Sequence, residues 1–311
     1  MTKEKTTGRI LQIIIVLFGI SFLTFCLIYL APGDPVKAMY AVNGGVPSEE
    51  VLNTMREEMG LNAPFLMQYF NWIFGCLHGD FGTSYSLNKP VVTVLLQRLW
   101  PTLKLTLFSL ILMLGVSVPF GVLSAVKHNK AADYIIRIFS FIGVSLPGFW
   151  LGVMLIYIVA LKLKLLPVIS TDTGFKKMIL PAVTLAFSMA AKYTRQVRAA
   201  VLEELHKDYV TGARTRGIKE STVYWAHVFP NALLPLVTLL GLSFGSLLGG
   251  TAVVEVIFSY PGLGSLAATA VAARDYPLIQ GYVLWTAFIY MVTNLAIDIS
   301  YGILDPRTKV R

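Results

Sequence analysis

The sequence predicts an all-α, polytopic membrane protein with six transmembrane helices. Three observations carry this. Of its 311 residues, 55% are hydrophobic and only 14% are charged, well outside the usual composition of a soluble domain. The charges are crowded into a few segments separated by long stretches with almost none. Those stretches reach the roughly 20 residues that a helix needs to cross the hydrocarbon core.

Six stretches qualify: 10–30, 101–126, 135–161, 180–200, 232–258 and 279–303. The first follows Lys3, Lys5 and Arg9, as a signal peptide would. It is longer than a usual signal core, and Ala31-Pro32-Gly33-Asp34-Pro35 is a poor cleavage context, so it is read as a retained span. The organisation is then a cytoplasmic N-terminus at 1–9, span one, an extracytoplasmic loop at 31–100, a five-span core at 101–304 and a cytoplasmic C-terminus at 305–311. Within the loop, Ser48 followed by Glu49 and Glu50 starts a short helix to Met59, and a second runs from Pro64 to Cys76. Gly79-Asp80-Phe81-Gly82 reads as a turn. Pro101 and Pro181 are expected at span starts, where a missing N–H costs little. Pro119 and Pro147 are expected to kink spans two and three.

The net charge of +9 does not point to nucleic acid, because the basic residues sit between apolar stretches, where they set orientation. With the N-terminus in the cytoplasm, the inner segments hold 16 of the 26 Lys and Arg residues. Lys162, Lys164, Lys176 and Lys177 fall outside in this arrangement. The chain is thus expected in the cell membrane, multi-pass, with both termini cytoplasmic. Cys26 and Cys76 make no disulfide framework. No metal site is expected: no predicted span carries histidine, whereas ordinary nickel ligation wants several nitrogen or sulfur donors.

The most informative stretch is the polar segment 201–230 between spans four and five. Val201, Leu202, Leu205, Tyr209, Val210 and Ala213 recur at helical spacing. Gly217 fits a helix end, and Ser221 is placed to cap a second short helix. A hairpin with an apolar face has two uses. It packs on its own bundle, or it lies in a groove of a soluble partner.

The run Thr211-Gly212-Ala213, three residues, Gly217, nine residues, then His227-Val228-Phe229-Pro230 resembles the EAA loop of binding-protein-dependent ABC permeases. That family's pattern is Glu-Ala-Ala, three residues, Gly, nine residues, then Ile-x-Leu-Pro. Ala213, Gly217 and Pro230 keep the spacing; Thr211, Gly212, His227 and Phe229 depart from it, in the manner of the dipeptide, oligopeptide and nickel branch. Further resemblances to that branch are Ala31 to Pro35, Gly79 to Ser84, Asp208-Tyr209-Val210, Glu255, Phe258 to Gly264, Arg274-Asp275-Tyr276-Pro277 and Leu304-Asp305-Pro306-Arg307, so the likeness covers essentially the whole chain. It implies a type I-like importer permease fold. It also implies a second, similar permease as heterodimer partner, two ATP-binding subunits and an extracytoplasmic solute-binding protein, in a setting of membrane lipid. The helix around Asp208, Tyr209, Ala213, Arg214 and Gly217 would dock in the ATPase. No Gly-x-x-x-x-Gly-Lys-Ser/Thr phosphate loop occurs in the sequence. The chain is therefore expected to be non-catalytic and to hold no cofactor, ATP and Mg²⁺ being bound by the partner ATPase subunits. The solute would be a short peptide or nickel, the metal chelated or weakly held.

Inside the spans, Gly241, Gly245 and Gly249 form a small-residue row that lets another helix approach closely or lines a narrow pathway. Glu255 and Asp298 are intramembrane acids; a hydrogen-bond network is the expected role, with contact to solute as the other reading. Gly241-Leu242-Ser243-Phe244-Gly245 matches a serine nucleophile motif, but it falls in mid-span with no histidine in any span to act as base. An ion-coupled secondary transporter is a further alternative, but the internal repeat that such folds often carry is not found.

Overall fold

The computed structural model describes residues 3–42, 45, 47–167 and 174–304. Among them the regular structure is helical apart from one isolated bridge, Thr83 with Pro90. The helices are α1 (Lys3–Leu30), α2 (Pro35–Val42), α3 (Glu49–Glu58), α4 (Phe65–Leu77), α5 (Val91–Val126), α6 (Ala131–Ser145) and α7 (Gly148–Leu155), which runs on as a π-turn over Ile156–Lys162. There follow α8 (Phe175–Leu205), α9 (Asp208–Thr215) and α10 (Glu220–Thr222), which continues as a π-turn over Val223–Val228. Last come α11 (Phe229–Ile257), α12 (Leu263–Ala272) and α13 (Tyr276–Leu304). The chain divides into two compact units, 1–102 with 261–292 and 103–260 with 293–311.

Three helical stretches, 11–30, 91–126 and 276–296, are each long and apolar enough to cross a membrane. The α6–α7 pair makes a fourth if taken as one span, bent by 96°. The other two predicted spans coincide with α8 and α11. Helix α8 is the more polar because fourteen of its residues are buried against protein, so it presents less apolar surface outward than a lone span would.

Several boundaries differ from the sequence expectation, each for a physical reason. Helix α5 begins at Val91, ten residues before the expected span start, and Pro101 lies in its interior. The added turns are held by burial: Val91, Val94 and Leu95 pack in one apolar cluster with Leu263, Leu266, Ala270 and Leu278. Pro181 likewise lies inside α8 rather than at its start. At Pro147 the chain does not kink but breaks, with Leu146 and Pro147 both extended, as the steric restriction on a residue before proline favours. Helix α2 was not anticipated, although its signal is present: Asp34 accepts a hydrogen bond from the Val36 N–H at 2.9 Å, and Pro35 takes the first helical position.

In the first unit, α3 is capped as expected, Ser48 Oγ accepting from the Val51 N–H. Helix α4 packs on α1 through edge-to-face aromatic pairs among Phe22, Phe25, Phe65 and Tyr69, and a Ser21–Tyr69 hydroxyl bond of 2.9 Å fixes their register. The expected turn at 79–82 has Gly79 and Gly82 at φ 85° and 81°. Asp80 accepts from the Gly82 N–H at 2.9 Å.

The second unit is built around α8. Two glycines set how closely its neighbours approach. A Cβ on Gly121 of α5 would lie 2.6 Å from Val197 Cβ, and one on Gly143 of α6 would lie 2.6 Å from Ala191 Cβ. Deeper in the unit, Leu105, Ala182, Leu185, Phe258 and Tyr260 form its main apolar cluster. Lys162, one of the unexplained basic residues, lies over the Tyr157 ring at 5.1 Å, a cation–π contact. Between α11 and α13 lies the short helix α12, which Ser265 caps through the Gly262 N–H.

Gly143→Val should destabilise the protein by about 1–3 kcal/mol, the usual cost of overpacking. Gly115→Val, where nothing lies within 4 Å, serves as the neutral control. Thermal unfolding of the two variants in detergent separates them.

Candidate functional site

The site of interest is the hairpin that links α8 to α11. Its turn forms because Gly217 adopts φ +74°, where a side chain would be strained. The Gly217 N–H then donates to the Arg214 carbonyl at 2.9 Å and the Ile218 N–H to the Ala213 carbonyl at 3.2 Å. This is the Schellman pattern of a glycine-terminated helix. The second short helix starts at Glu220, and Lys219 is its cap residue, without a side-chain bond. The expected Ser221 cap is therefore absent; Ser221 sits within the first turn, exposed, because the Lys219 carbonyl already accepts from Thr222 and Val223.

The two faces of the hairpin have opposite fates. Val210 and Ala213 are fully enclosed, in one cluster with Val122, Val197, Val201, Val223, Val228 and Leu236. Ala213, expected at the docking face, thus points into its own bundle. Its small size lets α9 lie close against the turn Val223–Val228. The outward face carries Lys207, Asp208, Thr211, Arg214, Arg216 and Lys219, all exposed, together with Tyr209 at 37% and Trp225 at 51% exposure. Trp225 was not picked out from the sequence. Its ring stacks edge-on to Phe229 at 5.3 Å, which leaves a rigid aromatic surface beside the cations. Exposed Trp, Tyr and Arg side chains are the types that dominate protein interfaces.

Local electrostatics hold the hairpin's shape. The Tyr209 hydroxyl donates to Glu204 Oε2 at 2.8 Å, and Lys207 pairs with the other carboxylate oxygen. Burial and that Glu204 bond push the Tyr209 hydroxyl up to about 12, so it remains a donor. Across the glycine turn, Arg214 makes a two-pronged contact with Glu220 at 2.9 and 3.3 Å. Hydrogen bonding from Tyr224, then Arg214, holds the Glu220 carboxyl below its ordinary range. The pair is solvent-exposed and contributes little to stability.

One buried ion pair fastens the helix that leads into the hairpin. Asp133, fully buried, accepts from Arg198 at 2.7 and 2.8 Å, from Ser124 at 2.5 Å and from the Asn129 N–H at 3.0 Å. Four donors on one carboxylate offset its desolvation. The end of α8 is thereby fixed to the turn between α5 and α6. Neither residue stood out in the sequence, since 65 positions separate them.

Other anticipated residues fall elsewhere. Gly241 and Gly245 are buried in α11 and Glu255 is fully buried; the surroundings of Gly249 and the side chain of Asp298 lie outside the described residues, as does 305–311. The serine-nucleophile reading does not fit: Ser243 shares its hydroxyl hydrogen bond with Tyr193, on a continuous helix without a strand-to-helix turn. Three short motifs distant in sequence converge in the first unit. Asp275, fully buried, accepts from Ser84 Oγ at 2.6 Å, Ser86 Oγ at 2.7 Å and the Ser86 N–H at 2.9 Å. Arg274 donates to the Pro32 carbonyl at 2.9 Å.

Residues 117–310 match the family described as the binding-protein-dependent transport system inner membrane component, and residues 6–106 match its N-terminal counterpart. The chain is 40% identical, over 97% of its length and 98% of the relative's, to the oligopeptide transport system permease protein AppB of Bacillus subtilis. It is 36% identical, over 97% of its length and 91% of the relative's, to the nickel import system permease protein NikB of Staphylococcus aureus. Among solved structures, the MetNI methionine ABC transporter in an inward-facing form matches with a TM-score of 0.56 at 20% identity, covering 68% of this chain and 96% of that one. That last likeness concerns the fold.

Arg198→Met should destabilise the protein by about 3–5 kcal/mol, because it leaves a buried carboxylate unpaired. Adding Asp133→Asn should recover much of the loss. Unfolding measurements on both single variants and the double variant read the coupling directly.

Proposed function

The chain belongs to the family of binding-protein-dependent transport system inner membrane components, and from that premise we propose that it is the translocation subunit of an ATP-driven importer for short peptides, nickel being the second candidate. The observation that carries the proposal is the hairpin 201–230, whose inner face is sealed into the bundle while its outer face presents Tyr209, Trp225 and a set of cations. A surface built this way fits the groove of a separate protein. The partner would be an ATPase subunit, present twice, and a second similar permease would complete the membrane part. An extracytoplasmic binding protein would deliver the solute and supply most of the specificity. This subunit would itself carry out no hydrolysis and hold no cofactor, ATP and Mg²⁺ residing on the ATPase.

In the proposed topology six spans, α1, α5, the broken α6–α7 pair, α8, α11 and α13, cross the cell membrane with both termini and the hairpin in the cytoplasm. ATP binding would move the hairpin. Because Val210 and Ala213 share one apolar cluster with residues of α5, α8 and α11, that motion would carry the ends of those helices with it as a body. A pathway with weak contacts suits release of the solute. Peptides are favoured because the oligopeptide relative is the more similar of the two cited.

Two measurements test this reading. Thr211→Cys, at an exposed position, should react with a membrane-impermeant maleimide from the cytoplasmic side alone; reaction from the exterior alone would refute the topology. Gly217→Pro cannot adopt φ +74° and loses the N–H that bonds Arg214. It should insert normally but lose solute-stimulated ATP hydrolysis in reconstituted vesicles by about tenfold or more. Uptake that persists without ATP but collapses with the ion gradient would instead favour a secondary transporter.

A further inference from the structure

A cavity of about 590 Å³ lies wholly within the first unit. Its size is that of small-molecule sites. Its walls come from stretches far apart in sequence: the end of α1, the turn at 31–35, the α3–α4 connection, α4, the hairpin at 80–85 and the start of α13.

Several of these walls are held by a polar tie at or beside a lining residue. Asp34 is clasped by Arg56, with Arg56 Nε 3.0 Å from Asp34 Oδ2. Burial opposes ionisation of Asp34, but Arg56 and the Val36 N–H outweigh it and hold the carboxyl below its ordinary range. Arg274 grips Pro32, next to Gly33. Asp275 gathers Ser84 and Ser86, which flank Tyr85, and it immediately precedes Tyr276. These ties hold the segments at 31–35, 84–86 and 274–276 in place around the space. Such preorganised surroundings are what a ligand site requires.

The lining has a definite chemistry. The Asp34 charge is answered by Arg56, which also donates to Asn53 at 2.6 Å. Asp80 is different. It is exposed, one of its oxygens accepts from the Gly82 N–H, and no ion pair engages it among the described residues. Burial, with the Asp80 charge adding to it, pushes the Cys76 thiol up to about 12. Trp72, Phe81, Tyr85 and Tyr276 line the same cavity, and aromatic ring faces favour cations.

We propose that this cavity binds the amino-terminal end of a short peptide, with the ammonium at Asp80. The proposal rests on the transport reading above. It deepens that reading by giving the membrane subunit its own preference for a free amine, apart from whatever the external binding protein selects.

The test uses the intact complex with its ATPase subunits, without the binding protein, in nanodiscs of phosphatidylcholine and phosphatidylglycerol. Equilibrium dialysis compares trialanine with N-acetyl-trialanine. The expected result is about tenfold tighter binding of the free amine. Asp80→Asn keeps the oxygen that accepts the Gly82 N–H, and it should abolish that preference in a complex that still purifies with its ATPase subunits. Equal binding of the two peptides, no saturable binding, or a preference that survives Asp80→Asn would overturn the proposal. Displacement of trialanine by phosphatidylethanolamine in the nanodisc would also overturn it, assigning the cavity to a lipid amine. A chain that purifies with no ATPase would overturn the transport reading itself, and that result is seen before any peptide is added.

Discussion

The burial of Val210 and Ala213 is the contact on which the rest of the second unit depends. These two side chains enter an apolar cluster that also contains Val122 of α5, Val197 and Val201 of α8, and Ala232 and Leu236 of α11. Close packing makes such a cluster a poor hinge, since interiors transmit displacement rather than absorb it. The Asp133–Arg198 pair adds a directional link at the same end of the unit, tying α8 to the α5–α6 turn. A displacement of the outer face of the hairpin therefore meets no soft element before it reaches α5, α8 and α11. The helical turn closed by Gly217 serves this arrangement by ending α9 abruptly, so that Arg214 and Glu220 can meet across the bend.

The first unit is organised on a different principle. Its apolar cluster is small, and long-range polar ties do much of the fastening. Asp275 bonds residues some 190 positions away, and Arg274 reaches back 242 positions to Pro32. A loop as long as 31–100 would otherwise carry a large conformational entropy. Charge-assisted bonds from a buried carboxylate are a specific way to pin it. The consequence is a cavity whose walls keep their places although little apolar packing fills the space between them.

Much of the helical pattern was legible. Ser48 before two glutamates predicted α3, and Gly217 predicted the end of α9, because capping is a local chemistry written in adjacent residues. Asp34-Pro35 carries an equally local signal for α2, a side-chain acceptor for the Val36 N–H followed by a proline at the first helical position. The start of α5 was misplaced because Pro101 looked like a boundary. What keeps Val91, Val94 and Leu95 helical is contact with α12 and α13, which no window of sequence contains. The same limit applies to the hairpin. Periodicity identified its apolar face, including Ala213, but could not say whether that face met the bundle or a partner. The answer, that the bundle takes it and leaves Trp225 outside, required the packed structure.

By itself, the sequence determined that the chain is helical and that it is built for a bilayer. In lipid every backbone polar group must be satisfied internally, which leaves the helix as the form an isolated apolar stretch can take. It also determined where a polar hairpin interrupts those stretches, because glycine and capping residues act within a few positions. Tertiary structure alone decided which side of that hairpin is exposed, which carboxylate meets Arg198, and how the segments at 31–35, 80–86 and 274–277 come to enclose one cavity. Those outcomes depend on pairs separated by tens to hundreds of residues. Such pairs leave no periodicity and no local composition to read, so their energies exist only once the fold has brought them together.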